Sequence, residues 1–168
     1  PIKVFPLKVF SFSCRTPLFA VYYGHTAFLF MDIFDKSKRS QLMAKVKQKN
    51  TAPEIIVRKF LFSKGFRYRI NVKSLSGTPD IVLSKYKTVI FVHGCFWHGH
   101  TCRAGHLPSS NLDYWVTKIE KNIERDNRKI NELEKLGWNV VVIWQCEIKA
   151  LKNREIRFSK LISEIERK

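Results

Sequence analysis

The chain has 168 residues, the usual length of one domain, and 45% of them are hydrophobic, enough to bury a core, which excludes a disordered tail. Lysine and arginine number 31 against 14 acidic residues, so the net charge is +17, an excess that an extended polyanion would neutralise. Nucleic acid is therefore the leading partner, and an anionic membrane surface is the alternative, which no single basic amphipathic stretch favours.

Residues 1–31 differ in composition from the rest of the chain, with three basic residues, no acidic ones and an apolar run over 18–31. They could be a secretory signal, a membrane span or an extension of the reading frame upstream of a start at Met31. No small-residue cleavage site follows, and the run is shorter than the roughly 20 residues of a span. We therefore expect residues 1–31 to lie outside the fold and the domain to cover 32–168, whose 28 basic and 14 acidic residues still leave a charge of +14.

The hydrophobic pattern then predicts helices and short strands in alternation. Thr51 to Glu54 forms a capping box that begins a helix, Gly65 ends it, and Asp113 is the expected cap of a later helix. The predicted elements in chain order are helices 37–48 and 51–64, strands 67–72, 79–83 and 88–92, helix 113–136, strand 138–144 and helix 154–166. This order indicates an α/β layer fold with a mixed central sheet flanked by helices.

Three cysteines and a histidine have the spacing of a metal site. Cys95, His100 and Cys102 lie in the loop after the third predicted strand, and Cys146 follows the fourth. Such a Cys₃His set is the closed tetrahedral arrangement of structural zinc, which would hold the loop against the strand. The alternative is a pair of buried thiols and a surface histidine. Metal-binding thiols favour a reducing compartment, the cytoplasm.

Asp80 opens a short strand after Gly77-Thr78-Pro79, and a second strand follows across a turn. A carboxylate in this position is a good Mg²⁺ ligand, although alone it would be interpreted as a turn or capping residue. In many nucleases with a Pro-Asp strand, the next strand carries an acidic residue and a lysine two positions apart. Here the tripeptide is Phe91-Val92-His93, so any second protein contact to the metal must come from a backbone carbonyl, such as that of Val92, or from other elements.

Three further polar residues are candidates for the chemistry. His98 is free to carry a proton near neutral pH if His100 binds zinc, although it could itself be the zinc ligand. Asp126 falls within the apolar stripe of its helix, so it needs a partner, either a histidine (His98 or His93) or a neighbouring arginine. Glu54 closes the capping box, and a role near the metal would be an additional one.

The aromatic residues fall into two groups. Phe96 and Trp97 lie in the metal-binding loop, and Trp115 begins the next helix. Aromatic side chains beside a basic surface can stack on bases or wedge between them, and the alternative is ordinary core packing. Trp138 and Trp144 lie in an apolar strand and are interpreted as structural.

Together these residues resemble the very short patch repair (Vsr) endonucleases over roughly 32–146. The most specific segment is His93-Gly94-Cys95-Phe96-Trp97-His98, followed by His100 and Cys102. The other matching segments are Asp35-Lys36 with Arg39-Ser40, Asn50 to Glu54, Gly77 to Asp80, Val89 to Val92 and Trp115 to Arg128. Val92 stands where the family usually has threonine, and residues 1–31 have no counterpart, which favours Met31 as the start.

The resemblance implies a restriction-endonuclease-like fold with a structural zinc. It also implies Mg²⁺-dependent nicking on the 5′ side of the thymine in a T·G mismatch, the lesion that deamination of 5-methylcytosine leaves. By position, Asp80 and the Val92 carbonyl would hold Mg²⁺. The residues that would organise the attacking water are His93, His98, Asp126 and Glu54, with His98 as the proton carrier.

The same resemblance implies how DNA is held. Phe96, Trp97 and Trp115 would enter the duplex from the major groove, and Met43 would enter from the minor groove. It further implies a monomer associated with the bacterial nucleoid, with contacts to mismatch-repair proteins and no membrane partner. Two alternatives stay open at this point: a restriction-type nuclease that cuts both strands of a matched duplex, and a non-catalytic zinc-containing DNA-binding module.

Overall fold

The computed structural model describes residues 36–47 and 49–167. The predictions made for 1–31, including a start at Met31, therefore lie outside the described residues. The elements are α1 (Lys36–Ala44), α2 (Ala52–Ser63), β1 (Ile81–Leu83), β2 (Thr88–His93), α3 (Leu112–Lys135), β3 (Asn139–Trp144), α4 (Gln145–Lys149) and α5 (Leu151–Glu166), with 3₁₀ turns at Ser84–Tyr86 and Arg103–Gly105. The prediction of a mixed α/β fold is confirmed.

The described strands form one three-stranded sheet in the order β1-β2-β3. β1 and β2 are antiparallel, joined by the turn that the sequence predicts, and Ile81 pairs with Ile90. β2 and β3 are parallel, and Ile90 pairs with Val141. A parallel pair needs a long crossover connection, which the cysteine-containing loop and α3 provide. The loop therefore begins at the end of β2, and β3 returns the chain beside it.

The sheet buries a different hydrophobic cluster on each face because side chains alternate along a strand. One cluster joins the strands to α2, α4 and α5, and its fully buried members are Val57, Leu61, Ile81, Leu83, Ile90, Ile143 and Leu161. The other joins the opposite face to α3 through Val82, Val89, Phe91 and Leu133. Along β2, Val89, Phe91 and His93 share this second face, so the strand directs His93 towards α3.

The predicted strand at 67–72 is wrong. Only Arg69 pairs with the sheet, as an isolated antiparallel bridge to Val82, with backbone hydrogen bonds of 2.9 and 2.8 Å. Two residues later, Asn71 has φ +49°, a left-handed conformation that ends the extended chain. Alternation of apolar residues is therefore not sufficient here, because a backbone reversal prevents the ladder from growing.

The helix ends were predicted with mixed success. Gly65, with φ +82°, follows the last turn of α2 as expected. The cap of α3 is Asn111 in a left-handed conformation, and Asp113 lies in the first turn, so the prediction of Asp113 as the cap is wrong. α4 was not predicted, and α5 begins earlier than expected, after Ala150 in extended conformation.

No helix in the described part of the chain is long and apolar enough to cross a membrane.

Candidate active site and metal cluster

The four residues predicted to bind zinc come together. One donor atom from each of Cys95, His100, Cys102 and Cys146 lies within 4.8 Å of the others. Nδ1 of His100 is 3.6 Å from Sγ of Cys146. Nitrogen and sulfur ligands about 2.0 and 2.3 Å from one ion, at a tetrahedral angle, would lie about 3.5 Å apart. The donor set and its spacing therefore fit a tetrahedral zinc ion.

The loop holds these ligands by a tight backbone fold. The His100 N–H donates to the Cys95 carbonyl at 3.0 Å, and the chain packs so closely there that a Cβ at Gly105 would lie 1.9 Å from the His100 carbonyl. Hydrogen bonding to His100 lowers the pKa of the Cys102 thiol to about 6, whereas burial raises that of Cys146 to about 12. Cys102 thus forms the thiolate, the metal-binding form, more readily than Cys146 does.

A cleft of about 860 Å³ lies beside this cluster. It is bounded by the α1–α2 connection, the β1 and β2 ends nearest Asp80 and His93, the metal-binding loop and α3. The predicted site residues that line it are Met43, Glu54, Asp80, Val92, His93, Trp97, His98 and Asp126. The fold therefore brings residues from distant parts of the sequence to one concave surface, which is where binding sites are usually found.

Asp80 lies half-buried in the cleft, immediately before β1. Its Oδ2 accepts a 2.8 Å hydrogen bond from the Val92 N–H of the neighbouring strand. Burial raises the pKa of Asp80 to about 6 and the Glu54 carboxylate adds to the rise, although the Val92 N–H opposes it. The Arg58 guanidinium and His98 offset this rise only in part, so a cation bound to Asp80 would stabilise the ionised carboxylate, as expected of a metal ligand.

Glu54 is buried at the edge of the cleft, near enough to Asp80 to affect its pKa. Its carboxylate accepts a 2.8 Å hydrogen bond from the Thr51 hydroxyl and a 3.3 Å bond from the Thr51 N–H, which confirms the capping box. It also forms a 2.7 Å ion pair with Arg58, whose guanidinium reaches Asn50 at 2.6 Å. Arg58 was not predicted as part of the site, although its i,i+4 spacing from Glu54 is typical of an ion pair on a helix.

The partner of Asp126 is His98, with Nδ1 of the ring 2.6 Å from Oδ2 of the carboxylate. Arg125 contacts the other carboxylate oxygen at 3.1 Å, so Asp126 has both of the partners that the sequence suggested, a histidine and a neighbouring arginine. Burial alone would raise the pKa of Asp126, but the hydrogen bond from His98 and the Arg125 guanidinium outweigh it and lower the pKa. An ionised Asp126 fixes the tautomer of His98 and leaves its Nε2 to accept a proton.

His93 stacks on His98, with ring centroids 3.8 Å apart and planes inclined by 7°. Burial lowers the pKa of His93 to about 4, and the neighbouring His98 contributes in the same direction. Donor atoms of His93, His98 and Asp126 lie within 4.8 Å of one another. However, no ion can lie in the planes of two parallel stacked rings at once, so this arrangement suits proton transfer better than joint metal binding.

The three aromatic residues predicted to contact DNA form one cluster, in which two come from the loop after β2 and the third from the start of α3. Phe96 lies 5.0 Å from Trp97 and 5.1 Å from Trp115 between ring centroids, in edge-to-face arrangements. Asn122 on α3 donates a 3.0 Å hydrogen bond to the Trp97 carbonyl and holds the loop in place. The rings are only partly buried, which leaves faces available for stacking. Tyr114, 60% exposed beside Trp115, extends the cluster and was not predicted.

Two other predicted positions are informative. Met43 is 46% exposed on α1 and lines the cleft. Trp144 was interpreted as structural, yet its ring centroid lies 4.4 Å from that of His100 and 5.3 Å from that of His93. It therefore packs between the metal cluster and the stacked histidines, a position that its place at the end of an apolar strand did not reveal.

Comparisons with known proteins agree on one family. The profile of the DNA mismatch endonuclease Vsr family matches residues 31–104. The type II nicking enzyme V.NmeAIP of Neisseria meningitidis serogroup A is 58% identical over 137 residues, which cover 80% of this chain and 96% of that protein. V.XorIIP of Xanthomonas oryzae pv. oryzae, also a type II nicking enzyme, is 50% identical over 78% of this chain and 96% of its own length. The DNA mismatch endonuclease Vsr of Escherichia coli K12 is 42% identical over 74% of this chain and 78% of its own length.

Proposed function

This chain belongs to the Vsr family of DNA mismatch endonucleases, and on that premise we propose that it nicks the thymine-bearing strand 5′ of a T·G mismatch with Mg²⁺ as cofactor. The observation that supports this most is that Asp80 and the hydrogen-bonded pair of His98 and Asp126 line the same cleft. A restriction-endonuclease-like fold and a structural zinc are part of the same proposal. The net charge of +17 supports duplex DNA as the substrate.

Asp80 and the backbone carbonyl of Val92 would hold Mg²⁺, which prefers oxygen ligands and commonly takes few of them from the protein. When bound, Mg²⁺ supplies neutralisation of the scissile phosphate and activation of the attacking water. His98 accepts the proton from that water at Nε2, and Asp126 stabilises the imidazolium that results. Glu54, fixed by Thr51 and Arg58, presents a second anionic group to the same region.

The Cys95–His100–Cys102–Cys146 cluster would hold zinc with no open coordination position, so its contribution is structural. It fixes the loop that carries Phe96, Trp97 and His98 in a single conformation. Pre-organisation of this kind keeps a proton carrier and a stacking surface at a constant distance from the metal ligand.

Mismatch selection follows from the aromatic cluster. Phe96, Trp97 and Trp115 present partly exposed rings beside the cleft, and Met43 lines it from α1. Inserting such side chains between bases costs unstacking energy, which is smaller at a weakly stacked wobble pair than at a Watson–Crick pair. Insertion of these side chains, here called the wedge, therefore favours the mismatched duplex without a specific contact to every base.

We expect Trp97→Ala to weaken binding to a T·G duplex by about 10- to 100-fold, because one base–aromatic stack contributes about 1–3 kcal/mol. Binding to the matched duplex should change little, since the wedge does not enter it. Fluorescence anisotropy without divalent cations measures both affinities. Phe62→Ala is the matched control, because Phe62 is an aromatic residue of α2 that is 61% exposed and does not line the cleft. An equal loss on both duplexes would contradict the wedge.

Nicking at limiting Mg²⁺ should fall about tenfold for each pH unit below about 6, because protonated Asp80, with its pKa raised to about 6, cannot bind the cation. Above that pH the carboxylate is ionised and the effect is absent. Raising Mg²⁺ should move the acidic midpoint to lower pH, which separates Asp80 from groups that do not bind metal. Single-turnover rates over a grid of pH and Mg²⁺ test this, and a midpoint independent of Mg²⁺ would exclude Asp80 as the ligand.

A plasmid assay tests the proposed reaction against its alternatives. Heteroduplex plasmid that contains T·G pairs in many contexts should become open-circular with Mg²⁺ and stay supercoiled with EDTA, while matched plasmid should stay supercoiled. Linear product from matched plasmid would indicate a restriction-type nuclease of other specificity. Tight binding of the heteroduplex with no cleavage in any divalent cation would indicate a non-catalytic zinc-containing binding module.

A further inference from the structure

One basic residue of the cleft has no place in the mechanism above. Lys129 lies on α3, one turn after Asp126, and lines the cleft with Asp80. Among the residues that the structure describes, no hydrogen bond or ion pair involves its ammonium group. Arg125, by contrast, is already bound to Asp126 and Asn122. Lys129 is thus a half-buried cation on a helix, and no described residue supplies an anion to its ammonium group.

The aliphatic part of Lys129 is fixed by contact with the turn that leads to the metal ligand. A Cβ on Gly77 would lie 3.1 Å from Cδ and 3.3 Å from Cβ of Lys129, and 3.2 Å from the Phe91 ring. The absence of a side chain at Gly77, which has φ +73°, therefore leaves room for the lysine stem. The Ser76 hydroxyl also hydrogen-bonds Glu132 of α3, so the turn and the helix are joined at two points.

We propose that Lys129 is a catalytic residue whose ammonium group binds the reacting phosphate in the cleavage complex, an assignment that rests on the proposed function. β2 carries Phe91 and His93 where many nucleases have an acidic residue and a lysine, so the strand offers no lysine cation. Negative charge builds up on the phosphate oxygens during hydrolysis, and a fixed cation in a partly enclosed cleft stabilises it. Lys129 of α3, which packs on the Gly77 turn, supplies this cation instead.

Single-turnover nicking of a T·G duplex, with enzyme in excess, tests this assignment. Lys129→Met keeps the stem on Gly77 and removes the charge, and we expect the rate to fall about 100-fold. Binding to the same duplex without added Mg²⁺ and without chelator should weaken much less than this, and Lys129→Arg should recover most of the rate. Lys135→Met, which removes an exposed lysine from the same helix outside the cleft, should stay within about twofold of wild type.

A second variant keeps the test decisive if Lys129→Met disturbs folding. Lys129→Ala removes the atoms that propylammonium replaces, so added propylammonium should restore part of its rate, and tetramethylammonium at the same ionic strength should not. Rescue of this kind cannot come from a merely structural lysine. The assignment is overturned if Lys129→Met nicks as fast as Lys135→Met, if its rate and its affinity fall equally, or if neither cation rescues Lys129→Ala. A wild-type protein that cuts no duplex would overturn the proposed function and this assignment with it.

Discussion

Replacing Asp80 with asparagine should reduce nicking by about 10³-fold or more while leaving DNA affinity nearly unchanged. A metal ion contributes several kcal/mol to stabilising the transition state, and each 1.36 kcal/mol is a factor of ten in rate. Asparagine can still accept the hydrogen bond from the Val92 N–H, so the local fold should persist. The rate is measured by single-turnover nicking and the affinity by anisotropy with Ca²⁺ absent. Nicking at an unchanged rate would remove Asp80 from the metal site.

The same substitution, Asp80→Asn, should stabilise the protein when Mg²⁺ is absent. Because burial raises the pKa of Asp80 from 3.8 to about 6, the folded state binds the proton more tightly than the unfolded chain does. Ionised Asp80 therefore destabilises the fold at neutral pH, by at most about 3 kcal/mol and, since the cleft is open to solvent, by about 1–2 kcal/mol.

Thermal unfolding measures this destabilisation of the folded state by ionised Asp80. At pH 7.5, without Mg²⁺ and without a chelator that would remove zinc, Asp80→Asn should melt a few degrees above wild type. The difference should shrink as the pH falls from about 6 towards 4, where wild-type Asp80 becomes protonated. Asp113→Asn, in the exposed first turn of α3, is the control and should show no such gain. A lower melting temperature for Asp80→Asn at pH 7.5 would show that the ionised carboxylate has a compensating partner in the protein.

Loss of Cys146, which we propose as a zinc ligand, should be the most damaging change to stability. Removing one ligand from a structural metal site costs about 3–5 kcal/mol or more, which corresponds to roughly 10 °C in melting temperature. Cys146→Ser should therefore melt far below wild type and lose nicking, because the loop that carries His98 is no longer fixed. Chelation of the wild-type protein should give the same result, and zinc with Mg²⁺ together should restore activity where Mg²⁺ alone does not.

The metal content of the purified protein completes this test. Elemental analysis should find one zinc per chain in wild type and much less in Cys146→Ser. Cys14→Ser is the matched control, since Cys14 is the one cysteine of the sequence that is not proposed as a zinc ligand, and it should change neither zinc content nor melting temperature. A wild-type protein that contains no zinc and melts at the same temperature after chelation would contradict a metal role for the cluster.

Features that depend on residues close together in the sequence, or on the pattern within one helix, could be predicted. The short spacing of Cys95, His100 and Cys102 limits how far apart their donor atoms can lie, and a carboxylate in an apolar stripe requires a partner, which is why Asp126 led to His98. The capping box at Thr51 is likewise a contact between near neighbours. These features depend on few residues, and the chain between those residues has little freedom.

Features set by long-range contacts could not be predicted. The position of Lys129 beside the Gly77 turn, with no partner for its ammonium group among the described residues, emerges only when α3 packs on that turn. The contacts of Trp144 with His93 and His100 depend on strand pairing. The wrong strand at 67–72 has a different cause, since a single left-handed residue, Asn71, interrupts a pattern that otherwise alternates well. Backbone reversals at non-glycine residues leave little trace in a hydrophobic pattern.

The most direct test of the central claim is cleavage of synthetic duplexes with one T·G pair and randomised flanking bases, each strand end-labelled in turn. Randomised flanks make the result independent of the sequence context that the enzyme prefers. The account predicts a single Mg²⁺-dependent nick on the thymine strand, immediately 5′ of the mismatched T, with no product from the guanine strand or from matched T·A and C·G duplexes. Equal cutting of matched duplexes, or cutting of both strands, would contradict it.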